Sequence, residues 1–220
     1  MGRLVVITGA NRGIGLSFAK LFKAKGDIVF ALCRKTSPEL NALGVQVIEE
    51  VEVRDEKTFV RVREQLQGKK IDILINNAGI FHDDGLDLNF EKIKEQFEVN
   101  TLGPLKVTKM LLPYLQKGSK IAMLTSLMGS IADNGSGSYY GYRMSKAALN
   151  AASKSLAIDL ASQGICVALL HPGYVKTDMT RGLGEILPEN SAKGLIEVIE
   201  KMNLKNSGHF YDFESDELPW

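Results

Sequence analysis

Short, nearly unbroken apolar runs alternate along this chain with longer stretches in which apolar residues recur every three or four positions. The runs RLVVIT (residues 3–8), DIVFALC (27–33), VQVIEEV (45–51), IDILIN (71–76), KIAMLTS (120–126) and ICVALLH (165–171) predict strands. Several are apolar at almost every position, which suits a parallel sheet covered on both faces. Between them the spacing predicts helices over Gly13–Lys25, Asp55–Gln67, Asn89–Leu115 and Tyr140–Ser162, with Gly26 and Gly164 as C-terminal caps. A last helix, roughly Ser191–Asn203, precedes a short strand near His209–Phe213. Alternation of strand and helix through the whole chain predicts a doubly wound α/β fold with ligands at the carboxyl ends of the strands.

Composition narrows the picture. A chain of 220 residues fits one domain, 1–220, with a full core of its own, and 45% hydrophobic with 24% charged residues is ordinary for a globular protein. A net charge of +1 gives no electrostatic footprint for nucleic acid or an anionic membrane. Cys33 and Cys166 lie in the apolar runs FALCR and GICVALL, so they read as buried free thiols rather than a disulfide. His82, His171 and His209 are scattered without metal-ligand spacing, and no metal is expected. The first apolar run is too short for a signal-peptide core, Val6 stands where a myristoylation signal needs Ser or Thr, and no apolar stretch approaches a membrane span of about 20 residues. These features predict a cytoplasmic protein.

Chemistry enters at VVITGANRGIGLSFAKLF, a strand, a turn and a helix in immediate succession. Gly9, Gly13 and Gly15 permit a tight turn and close backbone approach to a pyrophosphate, with a helix N-terminus aimed at its charge. The stretch therefore predicts a dinucleotide site of the Rossmann type. At the end of the second strand an acidic residue would bond the ribose 2′-hydroxyl of NAD, whereas arginine accommodates the 2′-phosphate of NADP. Here the strand ends ALCRKTS, with no acid before Glu39. Arg34 at the strand end and Arg12 in the turn can clamp a phosphate, which points to NADP(H).

A second stretch, SYYGYRMSK (138–146), crowds three tyrosines ahead of one lysine. On a helix, only Tyr142 stands one turn from Lys146 on the same face; Tyr139 pairs instead with Arg143. A phenol beside an ammonium is a proton donor whose pKa, normally about 10, is expected to fall.

With TGANRGIG (Thr8–Gly15), NNAG (Asn76–Gly79) and YRMSK (Tyr142–Lys146) in this order, the chain resembles the short-chain dehydrogenases/reductases from Arg3 to Trp220. YRMSK, PENSAKGL and the final LPW further resemble the C-factor-like and sniffer-type carbonyl reductases. The resemblance implies that Tyr142 is the acid/base and that Lys146 binds the nicotinamide ribose and lowers the tyrosine pKa. It implies that Ser126 hydrogen-bonds the substrate carbonyl, with Ser130, Ser138 and Thr125 as rivals. The interval from Ser126 to Tyr142 is longer than the family usually shows, and the excess falls in LMGSIADNGSGS. Asn100, in FEVNTLG, matches the asparagine that holds the long helix open; its other reading is a polar side chain bonding its own backbone.

For the coenzyme, the resemblance implies contacts from Gly9, Asn11, Arg12, Gly13, Ile14, Gly15 and Arg34. It adds Asn77, Ala78 and Gly79 beside the adenosine and ribose, and Pro172, Gly173, Val175 and Thr177 of HPGYVKTDM against the nicotinamide. Glu52 and Val53 stand where the family has Asp-Val at the adenine, and Asp55 is the alternative carboxylate.

The substrate loop, about residues 178–195, is short, which implies an open site and loose selection. His82, Phe81, Met128, Tyr174 and Met179 are the candidates to line it. The many alanines of Tyr140–Ser162 either pack on the chain's own sheet or meet a second subunit. The resemblance implies a homodimer or homotetramer, and the short chain also leaves room for a monomer. The leading expectation is an NADPH-dependent reductase of aldehydes and ketones. The alternatives are a dinucleotide-binding signalling or sensor protein, and NAD-linked alcohol oxidation, which Arg12 and Arg34 oppose.

Overall fold

A computed structural model describes residues 2–220. Seven strands form one sheet: β1 (Leu4–Thr8), β2 (Ile28–Leu32), β3 (Gln46–Ile48), β4 (Ile71–Asn76), β5 (Leu115–Leu124), β6 (Cys166–His171) and β7 (Phe210–Asp212). Their order is β3-β2-β1-β4-β5-β6-β7 and every pairing is parallel. The order reverses between β1 and β4, and the chain leaves both strands there for opposite directions, opening a crevice at their carboxyl ends.

Alternate residues of each strand point to opposite faces, and both faces are covered. On one side Val5, Ile7, Ile73, Ile75 and Ala168 pack with Phe18 and Phe22 of α1 (Gly13–Ala24) and Leu195 and Ile199 of α7 (Pro188–Lys201). On the other, Val6, Phe30, Leu74, Ile121 and Leu169 meet α3 (Val60–Leu66), α5 (Gly103–Leu111) and α6 (Tyr140–Ala161) through Val62, Leu66, Val107, Leu111, Leu149 and Leu160. Each fully buried Phe, Leu or Ile of these layers contributes roughly 1.5–3 kcal/mol. The remaining helices are α2 (Pro38–Ala42) and α4 (Phe90–Phe97). No described helix is long and apolar enough to cross a membrane.

Six elements depart from the sequence reading. The helix expected over Asn89–Leu115 is α4, a π-helical turn (Glu98–Leu102), α5 and a 3₁₀ turn (Leu112–Tyr114). Pro113 supplies no backbone donor, so the helix cannot continue, and Leu115 opens β5 instead. β5 is accordingly longer than KIAMLTS suggested at its start and ends at Leu124, two residues before Ser126. β3 stops at Ile48, and Glu50 takes φ 60°. The expected Asp55–Gln67 helix begins as a 3₁₀ turn, Glu56–Phe59, capped by the Asp55 carboxylate. The short α2 was not predicted, although Ser37 and Pro38 form a standard helix start: the Ser37 hydroxyl accepts from Leu40 N–H at 3.2 Å. α7 likewise starts earlier than expected, with Pro188 in its first turn.

Candidate active site

The crevice is a cleft of about 590 Å³ running along the strand ends. Its middle is the turn after β1. Gly9 (φ 65°) and Gly13 (φ 55°) occupy the left-handed region. A Cβ on Gly15 would lie 2.2 Å from the Gly9 carbonyl oxygen, so α1 can approach the turn only through glycine. Arg12, at the helix N-cap, gives no side-chain acceptor to the first-turn N–H groups. From β4, Asn77 Nδ2 donates to the carbonyls of Thr8 (2.9 Å) and Gly9 (3.1 Å), and the Ala78 N–H donates to Thr8 Oγ1 (3.1 Å). Gly9, Asn11, Arg12, Gly13, Ile14, Asn77, Ala78 and Gly79 all line the cleft; Gly15 stands behind it as a packing position.

At the β2–β3 end the cleft is lined by Arg34, Lys35, Glu52, Val53 and Arg54. Glu52 is not a free carboxylate. Its Oε2 lies 3.2 Å from Arg54 Nη2 and 3.9 Å from Arg34 Nη1, and its Oε1 accepts from the Arg54 N–H at 3.3 Å. Burial pushes the Glu52 carboxyl up, but the Arg54 hydrogen bonds and the two guanidinium charges outweigh it, and the net displacement is downward. Asp55, the alternative, caps the following 3₁₀ turn and is engaged there. Arg12 is also paired, across the cleft: its Nη1 lies 2.7 Å from Asp178 Oδ2.

At the other end α6 presents Tyr142 and Lys146, and Lys146 Nζ sits 5.7 Å from the Tyr142 ring centroid. The Tyr142 ring meets Phe81 edge-on at 5.1 Å. The expected fall in the tyrosine pKa is not found. Burial pushes the phenol up to about 12, with the Ser126 hydroxyl opposing it, while burial brings Lys146 down to about 8. Spacing accounts for the neighbouring charge alone; the ammonium is instead directed at the Leu124 carbonyl, 2.7 Å away. Tyr142 keeps part of its surface open to the cleft, which bounds the upward push.

Asn100 lies in the π-helical turn and bonds across the fold rather than to its own helix. Its Oδ1 accepts from Ile80 N–H (2.8 Å), and Nδ2 donates to Ile80 O (2.9 Å) and Ser145 Oγ (3.1 Å). A Cβ on Gly79 would meet Asn100 Oδ1 at 3.2 Å and Lys146 Nζ at 3.8 Å, so both groups crowd the same side of the NNAG segment.

Ser126 caps the turn Leu127–Gly129 and accepts from Met128 N–H at 3.2 Å. Among its rivals, Thr125 lines the cleft while its hydroxyl donates to the Lys146 carbonyl (3.4 Å); Ser130 is buried and accepts from Asp133 N–H; Ser138 is in an exposed loop. Pro172 and Thr177 line the cleft, whereas Gly173 and Val175 brace it, Val175 bridging to Ile186. Residues 174–186 fold back on themselves: Glu185 and Ile186 N–H both donate to the Tyr174 carbonyl, and Lys176 N–H donates to Ile186 O. Of the suggested substrate-side residues, Met179 lines the cleft, Phe81 packs on Tyr142, Tyr174 is exposed, and His82 Nε2 is 2.9 Å from Glu95 Oε2.

Lys35, Arg54, Glu95 and Asp178 line the cleft without having been singled out from the sequence. Asp84 was missed altogether. α6 starts from Ser138 and Tyr139, both at positive φ, and Tyr139 offers no cap. The buried Asp84 supplies one from 57 positions away, its Oδ2 accepting from Gly141 N–H at 2.9 Å and its carbonyl from Tyr139 N–H at 2.8 Å. It fixes the start of the helix that carries Tyr142.

His171, at the end of β6, adds a pH dependence to this region. Burial pushes it down to about 4 against the attraction of Asp212 and Asp133, and its Nδ1 has no partner among the described residues. Between pH 4 and 6.5 the unfolded chain binds the proton that the folded chain refuses, so stability rises with pH across that window. Stability is expected to fall by ~2–3 kcal/mol from pH 7 to pH 4 through this group alone, and His171→Gln to remove that part of the slope, as urea unfolding at each pH would measure.

Sheet order, a glycine turn at the switch point and a cleft along the strand ends define a doubly wound Rossmann-type protein. Residues 3–186 match the family described as short chain dehydrogenase. The chain belongs to the short-chain dehydrogenase/reductase family of oxidoreductases. It is 36% identical, over 98% of its length and 99% of the relative's, to the 1-hydroxy-2-glutathionyl-2-methyl-3-butene dehydrogenase of Rhodococcus sp. (strain AD45). It is 43% identical to the C-signal of Myxococcus xanthus over 68% of this chain and 93% of that protein. The NADPH-bound carbonyl reductase from chicken fatty liver superposes with a TM-score of 0.90 at 31% identity, covering 100% of this chain and 99% of that one.

Proposed function

We propose that this protein reduces the carbonyl group of small aldehydes or ketones to alcohols, using NADPH as the hydride source. The observation that carries the reading is that Tyr142 and Lys146 line the same cleft as the glycine turn and the cations Arg12 and Arg34. The residues fit the coenzyme: the turn Gly9–Gly15 would face its pyrophosphate, Arg34 its ribose phosphate, and Asn77–Gly79 and Pro172–Thr177 its remaining length, with hydride as the chemistry supplied. Glu52, the position that would face the adenine, is tied to Arg54. Tyr142 delivers the proton to the carbonyl oxygen, and Ser126 orients that oxygen by hydrogen bonding. Burial holds the phenol in its protonated form, the form a proton donor to the carbonyl oxygen must have. Lys146 and Asn100 converge beside Gly79 at the floor of the site.

Two buried free thiols fit a reducing cytoplasm. A homodimer or homotetramer through α6 would cover its exposed Met144 and Ile158.

The test is NADPH oxidation, followed at its absorbance band, against aldehydes, diketones and quinones, with NADH in parallel. Turnover of at least one class, faster with NADPH than NADH, is expected. Tight NADPH binding without turnover on any carbonyl would favour a signalling or sensor role, the reading that similarity to the C-signal supports. Preferential oxidation of alcohols would favour the direction named in the Rhodococcus relative.

A further inference from the structure

Arg54 has no role in the proposed mechanism, yet it is tied more closely to the cleft carboxylate Glu52 than Arg34 is. It engages both oxygens of Glu52, one through Nη2 at 3.2 Å and the other through its own N–H at 3.3 Å. Its position is fixed from two further sides, since Lys106 Nζ donates to the Arg54 carbonyl at 3.0 Å and Glu95 Oε1 lies 3.8 Å from Nη1. Arg34, by contrast, has only the 3.9 Å approach to Glu52 and is 70% exposed. An ionised carboxylate beside two guanidinium groups bonds the one that offers better geometry, leaving the other free.

We propose that Arg54 sets the preference for a phosphorylated adenosine ribose by holding Glu52 away from Arg34. The inference rests on the coenzyme reading above and identifies the residue that makes a carboxylate tolerable at that end of the cleft. Without Arg54, Glu52 keeps its charge and has Arg34 as its nearest cation. The pair closes, the guanidinium is withdrawn from a ribose phosphate, and the carboxylate repels that phosphate as well. Arg54 thus acts on the ligand through Glu52 and is a specificity-determining residue rather than a phosphate ligand.

The experiment is calorimetric binding of 2′,5′-ADP and 5′-AMP to the full chain, independent of any hydride transfer. Wild type should favour 2′,5′-ADP. Arg54→Ala should lose about tenfold of that preference, the value of one charge-assisted contact. Glu52→Gln alone should leave the preference intact, and Arg54→Ala combined with Glu52→Gln should restore it. Failure of the double variant to regain the preference would overturn the proposal, because Arg54 would then be meeting the phosphate itself. An unchanged preference in Arg54→Ala would overturn it equally. Equal binding of both nucleotides by wild type would remove the NADPH reading, a failure distinguishable because it precedes any substitution. Melting temperatures of all three variants close to wild type would show that the fold is retained, and the NADPH-to-NADH ratio of dissociation constants should follow the same pattern.

Discussion

Tyr142→Phe is expected to lower NADPH-dependent carbonyl reduction by about 10³-fold, within the range that a positioned general acid contributes. The substitution removes one oxygen and leaves the ring that packs edge-on against Phe81. The cleft should keep its shape, and NADPH affinity should stay within a few-fold of wild type, as fluorescence titration would show. Folding stability should hold or rise slightly, since burial already disfavours the ionised phenol and no charge is lost. The loss should therefore appear in kcat. A variant that retained most of its kcat would take the proton-donor role from Tyr142 and transfer attention to Ser126. A variant that instead lost NADPH binding would make Tyr142 a packing residue of the coenzyme wall.

The strands were legible because their apolar runs have one cause: parallel strands buried on both faces need apolar residues at every position. The glycine turn was legible for a comparable reason, since the positive φ values of Gly9 and Gly13 favour glycine and the contact at Gly15 leaves no room for a side chain. What stayed hidden depends on partners distant in the chain. Asn100 opens a π-helical turn by bonding Ile80, 20 positions away, so periodicity alone read one continuous helix from Asn89 to Leu115. Asp84 caps α6 from 57 positions away, and Arg12 meets Asp178 from 166 away; neither leaves a local pattern. The direction of the Tyr142 pKa was misjudged for a related reason. One-turn spacing from Lys146 was visible in YRMSK, but the burial that raises the phenol is a property of the assembled cleft. Arg54 was closest to being readable, two residues after Glu52 at a strand end, yet only the geometry shows which arginine the carboxylate holds.

Gly15→Ala should meet the closest contacts of any methyl group added to the glycine turn. Its Cβ would stand 2.2 Å from the Gly9 carbonyl oxygen and 2.6 Å from Asn77 Nδ2, well inside contact distance. The Gly9 oxygen belongs to the backbone of the turn and cannot rotate away. Asn77 Nδ2 is held by the Thr8 and Gly9 carbonyls, so its movement would break the brace between β1 and β4. Either the turn opens or α1 withdraws, and α1 is anchored by Phe18 and Phe22 in the core. Overpacking of this kind costs about 3 kcal/mol, which lowers the melting temperature of a chain this size by roughly 6–12 °C. NADPH binding should weaken beyond what the stability loss explains, because the displaced segment carries the amides meant for the pyrophosphate. Gly135→Ala is the matched control: a Cβ there meets nothing within 4 Å and the residue is not at positive φ. If both variants melted and bound NADPH like wild type, the turn would be deformable. The close approach of α1 would then be a convenience of packing, and the glycine spacing would lose its standing as evidence for the pyrophosphate site.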